Sequence, residues 1–503
     1  MDRAQHGSRG AGQRARSGVT AEPAAQSPPD GAAGWFPLRQ FVKSAGVLSV
    51  SSVATLVRAV VTAKLFAVAL GPSAVGILAQ LLNFSAFLFT VLPLGLTTGV
   101  AKMVAEGHGD RRTVDAVVGT SSAISLASGL AAALLLSPLS GTISQALTGS
   151  DRYSLLVLLI LWSFPLNNLA GVISYVIQGL GDVGRLTWAN VATSLATLAL
   201  VVALTIPYHL LGAVVSVLIA SAAQAAIFGW ALAGAYRARG WSVFGWRLSR
   251  EVGLTLLRYG GVMLLGGMAM WGSVLVTRTM SVRTLGEFQN GIYQVAFGLS
   301  SQYMAVFMTW MAAYVFPRVT ATSSKGRLST LLNSGLRANL FLMVPILAIT
   351  ISVRDPLIRL FYSGAFLSAS PLLPVQALGD YARVIGWSFG ISLFAQGRTG
   401  GHLLAVSAQA VAWVLLTALL LPRLGIAALV LGYSISCLAW PVLMYPMART
   451  WFGAHISPEN ALLAAVGLAV LVACTAVPQP YGLVLVPVLP GIVYLRHRGL
   501  RLA

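Results

Sequence analysis

Residues 153–180 read YSLLVLLILWSFPLNNLAGVISYVIQGL, an uninterrupted run without a charged side chain. A helix that crosses a bilayer needs about 20 apolar residues, so this stretch is long enough to span a membrane. Thirteen further apolar windows flank it, at 44–70, 74–98, 114–136, 186–206, 211–235, 252–280, 291–316, 331–353, 372–396, 403–421, 426–447, 461–477 and 481–495. The pattern predicts an all-α integral membrane protein with twelve core helices and about two more.

The composition excludes several classes of protein. The chain of 503 residues is 57% hydrophobic and 9% charged, whereas soluble domains carry about a quarter charged residues. A Rossmann enzyme, a nucleic-acid-binding module and a secreted disulfide scaffold are therefore ruled out, despite the net charge of +20. Cys437 and Cys474 stand alone in apolar runs and have no metal-ligand spacing. We expect neither a metal nor a cofactor.

The distribution of basic residues predicts the orientation of the chain. With the N-terminus in the cytoplasm, 22 of the 33 Lys and Arg residues fall on the cytoplasmic side and five fall on the other. Cytoplasmic loops of membrane proteins carry such an excess of Lys and Arg. We therefore expect a multi-pass protein with a cytoplasmic N-terminus, in which residues 1–39, rich in Gly, Ala, Ser, Pro and Arg, form a disordered tail.

An internal repeat predicts how the helices are grouped. Leu70-Gly71 followed by Gly76-Ile77 recurs, with the same internal spacing, as Leu285-Gly286 followed by Gly291-Ile292. Gln178-Gly179, a helix and Pro207 recur at nearly the same offset as Gln396-Gly397, a helix and Pro422. Each half has six spans, so both enter from the cytoplasm, as in a parallel pseudo-twofold repeat. We expect two six-helix lobes, at 40–240 and 251–448, a cytoplasmic linker at 241–250, and a C-terminal helical hairpin within 449–503.

The charged residues inside the apolar windows indicate an anionic ligand. Six cations lie there, at Arg58, Lys64, Arg258, Arg278, Arg337 and Arg383, against one well-embedded acid, Asp380. Charges near mid-bilayer are costly and usually face a cavity or a partner. The guanidinium group matches phosphate well, so an exporter of organic cations is disfavoured. We predict a diphosphate site from Arg58, Lys64, Arg258, Arg278, Asp380 and Arg383, whereas Arg337 snorkels to an interface.

Most of the other polar and small residues have two interpretations each. Lys64 either lines the cavity or snorkels, and Asp380 with Arg383 forms a structural pair, a proton or cation relay, or part of the substrate site. Gln80 and Gln376 are predicted to line the cavity, and Asn290 and Gln294 either line it or join helices through hydrogen bonds. The glycines Gly260, Gly261, Gly266 and Gly267 make the seventh helix either a hinge or a closely packed helix.

Several motifs resemble one family of transporters. The sequences TAKLFAVALGPSAVGILAQ at 62–80 and GVAKMVAE at 99–106 resemble the opening of the Wzx-type polysaccharide flippases, especially the branch that handles the lipid-linked trisaccharide of enterobacterial common antigen. GIYQ at 291–294, YVFP at 314–317, RDPLIRLFYSGAF at 354–366 and QALGD at 376–380 resemble its second half. The resemblance covers roughly residues 40–448 and indicates the multidrug/oligosaccharidyl-lipid/polysaccharide exporter superfamily.

The resemblance implies a V-shaped bundle in the bacterial inner membrane. Its cationic central cavity would accept an undecaprenyl-diphosphate-linked oligosaccharide from the cytoplasmic leaflet and release it to the outer one by alternating access. Such a protein serves the synthesis of O-antigen, lipopolysaccharide or a related surface polysaccharide, acts as a monomer, and works beside a polysaccharide polymerase and a chain-length regulator. No covalent chemistry is needed. A proton or sodium gradient, the membrane potential or removal of product could drive the transport.

Two other functions remain open at this point. Lipid II flippases also carry two extra helices, although no motif in 457–495 supports their groove for a lipid tail. A membrane-embedded polysaccharide polymerase or ligase handles related substrates with arginines. It typically needs a large external loop, whereas the longest external connections here, 137–152 and 354–371, are under twenty residues.

Overall fold

The computed structural model describes residues 38–488 apart from Leu94, His108, Val243, Phe244, Trp246 and Ser323. Throughout this part of the chain the secondary structure is helix and turn, without a β-strand. Residues 1–37 of the predicted tail lie outside the described residues. The same holds for residues 489–495 of the predicted hairpin. The all-α fold class is confirmed.

Seven helices form the first half of the protein: α1 (Leu38–Ala69), α2 (Gly71–Val91), α3 (Leu96–Glu106), α4 (Arg111–Leu136), α5 (Ser140–Thr148), α6 (Ser154–Gly179) and α7 (Val183–Ala238). The second half contains α8 (Arg250–Trp310), a π-helical turn (Met311–Val315), α9 (Phe316–Thr320), α10 (Lys325–Ser352), α11 (Arg354–Phe361), α12 (Leu372–Ala395), α13 (Thr399–Leu424), α14 (Ala427–Ser436) and α15 (Ala439–Phe452). A further helix, α16 (Pro458–Ala476), and a 3₁₀ turn (Tyr481–Leu485) follow.

Two of these helices are each divided by a break. The 56 residues of α7 would extend about 84 Å at 1.5 Å per residue, far beyond one bilayer. A single non-helical residue, His209 (φ 49°), divides it between the predicted windows 186–206 and 211–235. Gly286 (φ 88°) likewise divides α8 between the windows 252–280 and 291–316. The four predicted windows are therefore helical and form two pairs, each divided by one non-helical residue.

Nine helical segments within the described residues are long and apolar enough to cross a membrane. Neither α8 nor α12 is among the nine. Both helices carry the charged side chains that stand inside apolar windows, Arg258 and Arg278 on α8 and Asp380 and Arg383 on α12. These charged side chains lower the mean hydropathy of both helices.

The backbone repeats with the offset that the sequence predicts. Gly71 (φ 72°) and its repeat partner Gly286 (φ 88°) both adopt the left-handed region at the turn between two spans. His209 (φ 49°, ψ −128°) and Gly425 (φ 52°, ψ −134°), separated by nearly the same stretch of chain, share one unusual conformation. Two regions of strained backbone at matching positions support a true repeat rather than a chance match of glycines.

One detail of the predicted register is wrong. Gly397 has φ 74°, but its sequence-matched partner Gly179 is the last residue of α6, and the left-handed residue that follows α6 is Gly181 (φ 72°). The number of residues between Gly181 and Gly397 closely agrees with the number between Gly71 and Gly286 and between His209 and Gly425. The Gln-Gly match was therefore out of register with the structural equivalence.

The apolar cores show where the two halves meet. One core lies largely within the first half and joins α3, α4, α6 and α7 around Val117, Val176 and Phe228, with Leu256 of α8 also buried in it. Two others contain residues from both halves: Ala67 and Val75 pack with Ile292 and Leu429, and Ile77 packs in a cluster with Val282. The shared cores lie at the ends of α1 and α2 and at the break of α8.

The C-terminal helix α16 lies against α10 through polar contacts. Arg337 donates to Glu459 Oε2 at 2.8 Å and to Asn460 Oδ1 at 3.2 Å. Asn460 Nδ2 donates to the carbonyl of Asn333 at 2.8 Å, and the Tyr381 hydroxyl donates to the carbonyl of Ala464 at 2.6 Å. Arg337, predicted to snorkel, instead pairs with the extra helix. Of the second predicted hairpin span, only residues 481–488 are described.

Candidate functional site

The two halves meet at a close crossing of α2 and α8. A Cβ added to Gly76 would lie 2.0 Å from the carbonyl oxygen of Glu287, and one added to Gly291 would lie 1.9 Å from that of Pro72. Gly76 and Gly291 are repeat partners, as are Pro72 and Glu287, so the crossing is symmetric about the pseudo-twofold axis. Only glycine allows backbones to approach so closely.

Asn290 strengthens this crossing. Its Nδ2 donates to the carbonyl oxygen of Gly76 at 2.7 Å, and its side chain is fully buried. Gln80, also fully buried, donates from Nε2 to Thr279 Oγ1 at 2.7 Å. Both side chains therefore join the two halves by hydrogen bonds, which is the second interpretation of Asn290 and differs from the cavity role predicted for Gln80.

Three charged or phenolic groups join the halves close to the same crossing. Arg152 Nη2 donates to Glu287 Oε1, and the Tyr153 hydroxyl donates to the same oxygen at 2.7 Å. We call Arg152, Tyr153 and Glu287 the seam cluster. It lies beside the α8 break, at the end of the bundle that the charge pattern predicts to face away from the cytoplasm. The two halves are closed against each other at that end.

Lys64 also belongs to this closed end. Its Nζ donates to the carbonyl oxygen of Arg359 at 2.7 Å, in the last turn of α11. Carbonyl groups at a helix C-terminus carry partial negative charge and favour a cation there. Lys64 therefore joins α1 to the second half in this conformation. This contact differs from both predicted roles, which were lining the cavity and snorkelling to an interface.

Arg58 and Arg258 are the cations of the predicted site that are free to meet a ligand. Arg58 is half-buried on α1, about 9 Å along the helix from Lys64. Arg258 is exposed near the start of α8. Neither guanidinium has a hydrogen-bond or ion-pair partner in the part of the chain that the structure describes. These groups stand away from the closed end, on the predicted cytoplasmic side of it.

Asp380 is buried within the second half and is held by three hydroxyl groups. Ser300 Oγ and the Tyr303 hydroxyl donate to Oδ2 at 2.6 and 2.5 Å, and the Tyr433 hydroxyl donates to Oδ1 at 2.6 Å. The side chain is 0% exposed. Hydroxyl donors from α8 and α14 thus satisfy the carboxylate of α12. Such donors stabilise an ionised carboxylate in place of water.

The predicted pairing of Asp380 with Arg383 is corrected in its geometry. The two side chains form no direct ion pair. Arg383 Nη1 instead donates to the Tyr433 hydroxyl at 3.3 Å, and that hydroxyl donates to Asp380. The spacing of the two residues on α12 placed the acid and the base on one face, but Tyr433 of another helix lies between them. Gln376 is buried beside this group and donates to Ser300 Oγ at 3.4 Å.

Arg278 and Gln294 bind each other inside the second half. Arg278 Nη2 donates to Gln294 Oε1 at 2.5 Å, and the guanidinium lies over the rings of Tyr293 and Phe297. Arg278 is 0% exposed, so it does not line an open cavity in this conformation. The structure therefore separates Arg278, Asp380 and Arg383 from the accessible Arg58 and Arg258.

The glycines proposed as a hinge lie in uninterrupted helix. A Cβ on Gly267 would lie 2.3 Å from Thr90 Cγ2, which makes this glycine a close-packing position. A Cβ on Gly261 would meet nothing within 4 Å, and one on Gly266 would meet only Leu403, at 4.0 Å. The structure describes the helical backbone at Gly260 but not the surroundings of this residue. Bending at Gly261 and Gly266 stays a prediction.

Several residues of the site were missed by reasoning from the sequence. Tyr303 and Tyr433 carry no charge and stand far from Asp380 in the chain, so no local pattern points to them. Glu287 directly follows the repeated Leu-Gly pair, and this position was the available signal. Among the described residues, no group of three His, Cys, Asp or Glu side chains is placed to hold a metal ion.

Comparisons with known proteins agree with this architecture. The profile of a family described as polysaccharide biosynthesis protein matches residues 65–371. The lipid III flippases of Escherichia coli (strain K12) and Shigella flexneri are each 23% identical over 360 residues, which cover 69% of this chain and 83% of theirs.

Solved structures share the fold at lower sequence identity. A multidrug resistance MATE family transporter of the MOP superfamily, in its inward-facing conformation, superposes with a TM-score of 0.66 and 15% identity, over 80% of this chain and 94% of that one. An outward-facing transporter of the same description superposes with a TM-score of 0.59 and 16% identity, over 80% and 95%. The chain therefore belongs to the polysaccharide biosynthesis protein family and has the fold of the multidrug/oligosaccharidyl-lipid/polysaccharide exporter superfamily, as its motifs predicted.

Proposed function

We propose that this protein flips a polyprenyl-diphosphate-linked oligosaccharide from the cytoplasmic to the outer leaflet of a bacterial inner membrane. The observation that carries the proposal is that Arg58 on α1 and Arg258 on α8, two of the six cations inside apolar windows, have no partner in the part of the chain that the structure describes. Both lie on the predicted cytoplasmic side of the closed seam. Fixed positive charge at that place suits the diphosphate of a lipid-linked glycan.

The geometry supports alternating access as the mechanism. The halves are joined at one end by the Gly76–Gly291 crossing, the seam cluster and Lys64. The cargo enters from the other end, near Arg258, and its diphosphate then binds Arg58. Its sugars occupy the space between the two lobes, and its isoprenoid chain stays in lipid. Opening of the seam then releases the glycan on the outer side.

The curated relatives support a lipid-linked cargo, because the two flippases are described as acting on lipid III. An undecaprenyl-linked oligosaccharide is the cargo we propose, and lipid II is the second candidate. The observation that favours lipid II is α16, which extends the chain beyond twelve core spans. However, α16 is bound to α10 by a polar network around Asn460 and Arg337, which is typical of a packing role.

A polymerase or ligase is a weaker alternative. The connections at 137–152 and 354–371 are occupied by the short helices α5 and α11 with their flanking turns. Neither connection forms a large external domain that could hold two glycans. We propose a monomeric transporter that passes its cargo to a separate polymerase and chain-length regulator, with its N-terminus in the cytoplasm.

Depletion of the protein in its host tests the proposal. We expect an undecaprenyl-linked oligosaccharide to accumulate, inaccessible to glycan-modifying reagents added outside the inner membrane, and mass spectrometry of that lipid identifies the cargo. Expression of the wild-type chain should clear the lipid. Accumulation of lipid II with a block in cell-wall synthesis would instead support the second candidate. Normal lipid-linked intermediates of both kinds after depletion would contradict both.

A further inference from the structure

Arg278 is fully buried, and most of its donors have no partner in the described part of the protein. Its side chain is 0% exposed, and only Nη2 donates to a protein acceptor, Gln294 Oε1 at 2.5 Å. Nε and Nη1 have no acceptor among the residues that the structure describes. Buried donors are paired in the great majority of cases, so two unpaired nitrogens on one guanidinium indicate a ligand.

The groups around Arg278 compensate only part of its charge. The rings of Tyr293 and Phe297 lie with their centroids 5.0 and 4.7 Å from the guanidinium carbon. Such rings attract a cation but accept no strong hydrogen bond. The Tyr293 hydroxyl is itself buried and without a partner among the described residues. Three unpaired atoms near one another are thus able to donate.

Asp380, the acid of this region, already has hydrogen-bond partners of its own. Asp380 accepts three hydroxyl hydrogen bonds, from Ser300, Tyr303 and Tyr433, and through Tyr433 it is linked to Arg383. Arg278 forms no ion pair with any carboxylate of the described residues. Asp380 therefore leaves Arg278 without a carboxylate partner, and an uncompensated buried charge is strongly unfavourable.

We propose that Arg278 Nε and Nη1, with the Tyr293 hydroxyl, bind a small inorganic monovalent anion of the chloride class as a structural counter-ion. The two unpaired nitrogens of Arg278 can only donate, which selects an anion over a cation. A water molecule would pair the donors but leave the charge uncompensated. The full burial of Arg278 selects a small ion over the diphosphate of the cargo. This role departs from the assignment of Arg278 to the cargo site.

Thermal unfolding of the purified full-length protein in different salts tests this inference. At constant ionic strength, Tm should rise saturably when gluconate is replaced by chloride or bromide, because an ion that binds only the folded state stabilises it. The Arg278→Gln variant should lose this dependence, and Arg278→Lys should keep it with weaker affinity. The matched control is Arg423→Gln, which removes an exposed arginine and should respond to halides as the wild type does.

A direct observation decides the matter if Arg278→Gln fails to fold. Crystals of the wild-type protein grown in bromide should show an anomalous peak within about 3.5 Å of the Arg278 guanidinium. A wild-type Tm that is equal in gluconate and halides, or the absence of that peak, would overturn the inference. So would stabilisation by a soluble polyprenyl-diphosphate analogue that requires Arg278, since this would return the residue to the cargo site. None of these results bears on whether the protein flips a lipid.

Discussion

At the scale of single residues, Arg58 and Arg258, which have no partner among the described residues, should have the largest effect on transport. Arg58→Ala should abolish flipping with normal protein level, because it removes a guanidinium that no other described side chain uses. Arg58→Lys should retain part of the activity, since lysine keeps the charge but loses the planar fork that binds two phosphate oxygens. The measurement is surface glycan in a depleted host, with membrane protein quantified in parallel. Wild-type glycan from Arg58→Ala would exclude this residue from the cargo site.

The Asp380 group should respond differently to mutation. Tyr433→Phe removes the hydroxyl that joins Asp380 to Arg383 and one of three donors to the carboxylate. A hydrogen bond to a charged group contributes about 1.5–3 kcal/mol, so the second half should unfold at a lower temperature. Tyr208→Phe, at an exposed tyrosine, is the control. Unchanged thermal stability in Tyr433→Phe would show that this hydroxyl does not support Asp380.

The double substitution of Asp380 and Arg383 separates folding from transport. Each single alanine leaves a buried charge without its partner, so the double variant should recover protein level relative to the single ones. We expect this rescue to leave transport low, because the buried charges also organise the second lobe. Transport equal to wild type in all three variants would contradict both roles.

At the scale of elements, the α2–α8 crossing depends on two glycines. Gly76→Ala and Gly291→Ala each place a methyl group within about 2 Å of a carbonyl oxygen, and overpacking of this kind costs about 1–3 kcal/mol. Both should favour opening at this end and give similar effects, because the two positions are repeat partners. Accessibility of engineered seam cysteines to a membrane-impermeant thiol reagent measures the opening. Gly229→Ala, in a helix where a Cβ meets nothing within 4 Å, should leave accessibility unchanged.

Removal of the C-terminal helix should weaken the protein without stopping transport. A chain ending near Arg449 still contains α1–α14 and the seam, but Asn333, Arg337 and Tyr381 lose their partners on or near α16. We therefore expect insertion and residual flipping with a lower Tm. If the truncated chain reaches wild-type levels in the membrane yet flips nothing, the C-terminal segment is integral to transport and a cargo of the lipid II type gains support.

The pattern of helices could be predicted from the sequence, because span length and repeated glycines are local signals. The repeated Leu-Gly pairs at Gly71 and Gly286 align the two halves in the sequence, and the positive φ of both glycines agrees with that alignment. The contacts of Asp380 and Lys64 could not be predicted. They depend on partners such as Tyr433 and the Arg359 carbonyl, which belong to other helices and are brought close only by packing.

At the scale of the whole molecule, the seam cluster should control exchange between conformations. A bis-thiol crosslinker that joins Arg152→Cys to Glu287→Cys should hold the two halves closed and stop flipping, and a cleavable linker should restore activity on reduction. Each single cysteine treated with the same reagent is the control. The native Cys437 and Cys474 are buried, so little background reaction is expected. Full transport in the crosslinked protein would show that the seam need not open.

The proposal that this protein is a flippase is tested most directly in proteoliposomes. Purified protein is reconstituted with a fluorescent polyprenyl-diphosphate oligosaccharide, and an impermeant quencher reports the fraction of label in the outer leaflet over time. Wild-type protein should bring nearly all of the label within reach of the quencher, whereas Arg58→Ala at equal incorporation should leave about half protected, as in protein-free vesicles. Equal protection in wild-type and protein-free vesicles, with a lipid confirmed as the host's own intermediate, would contradict the assignment as a flippase.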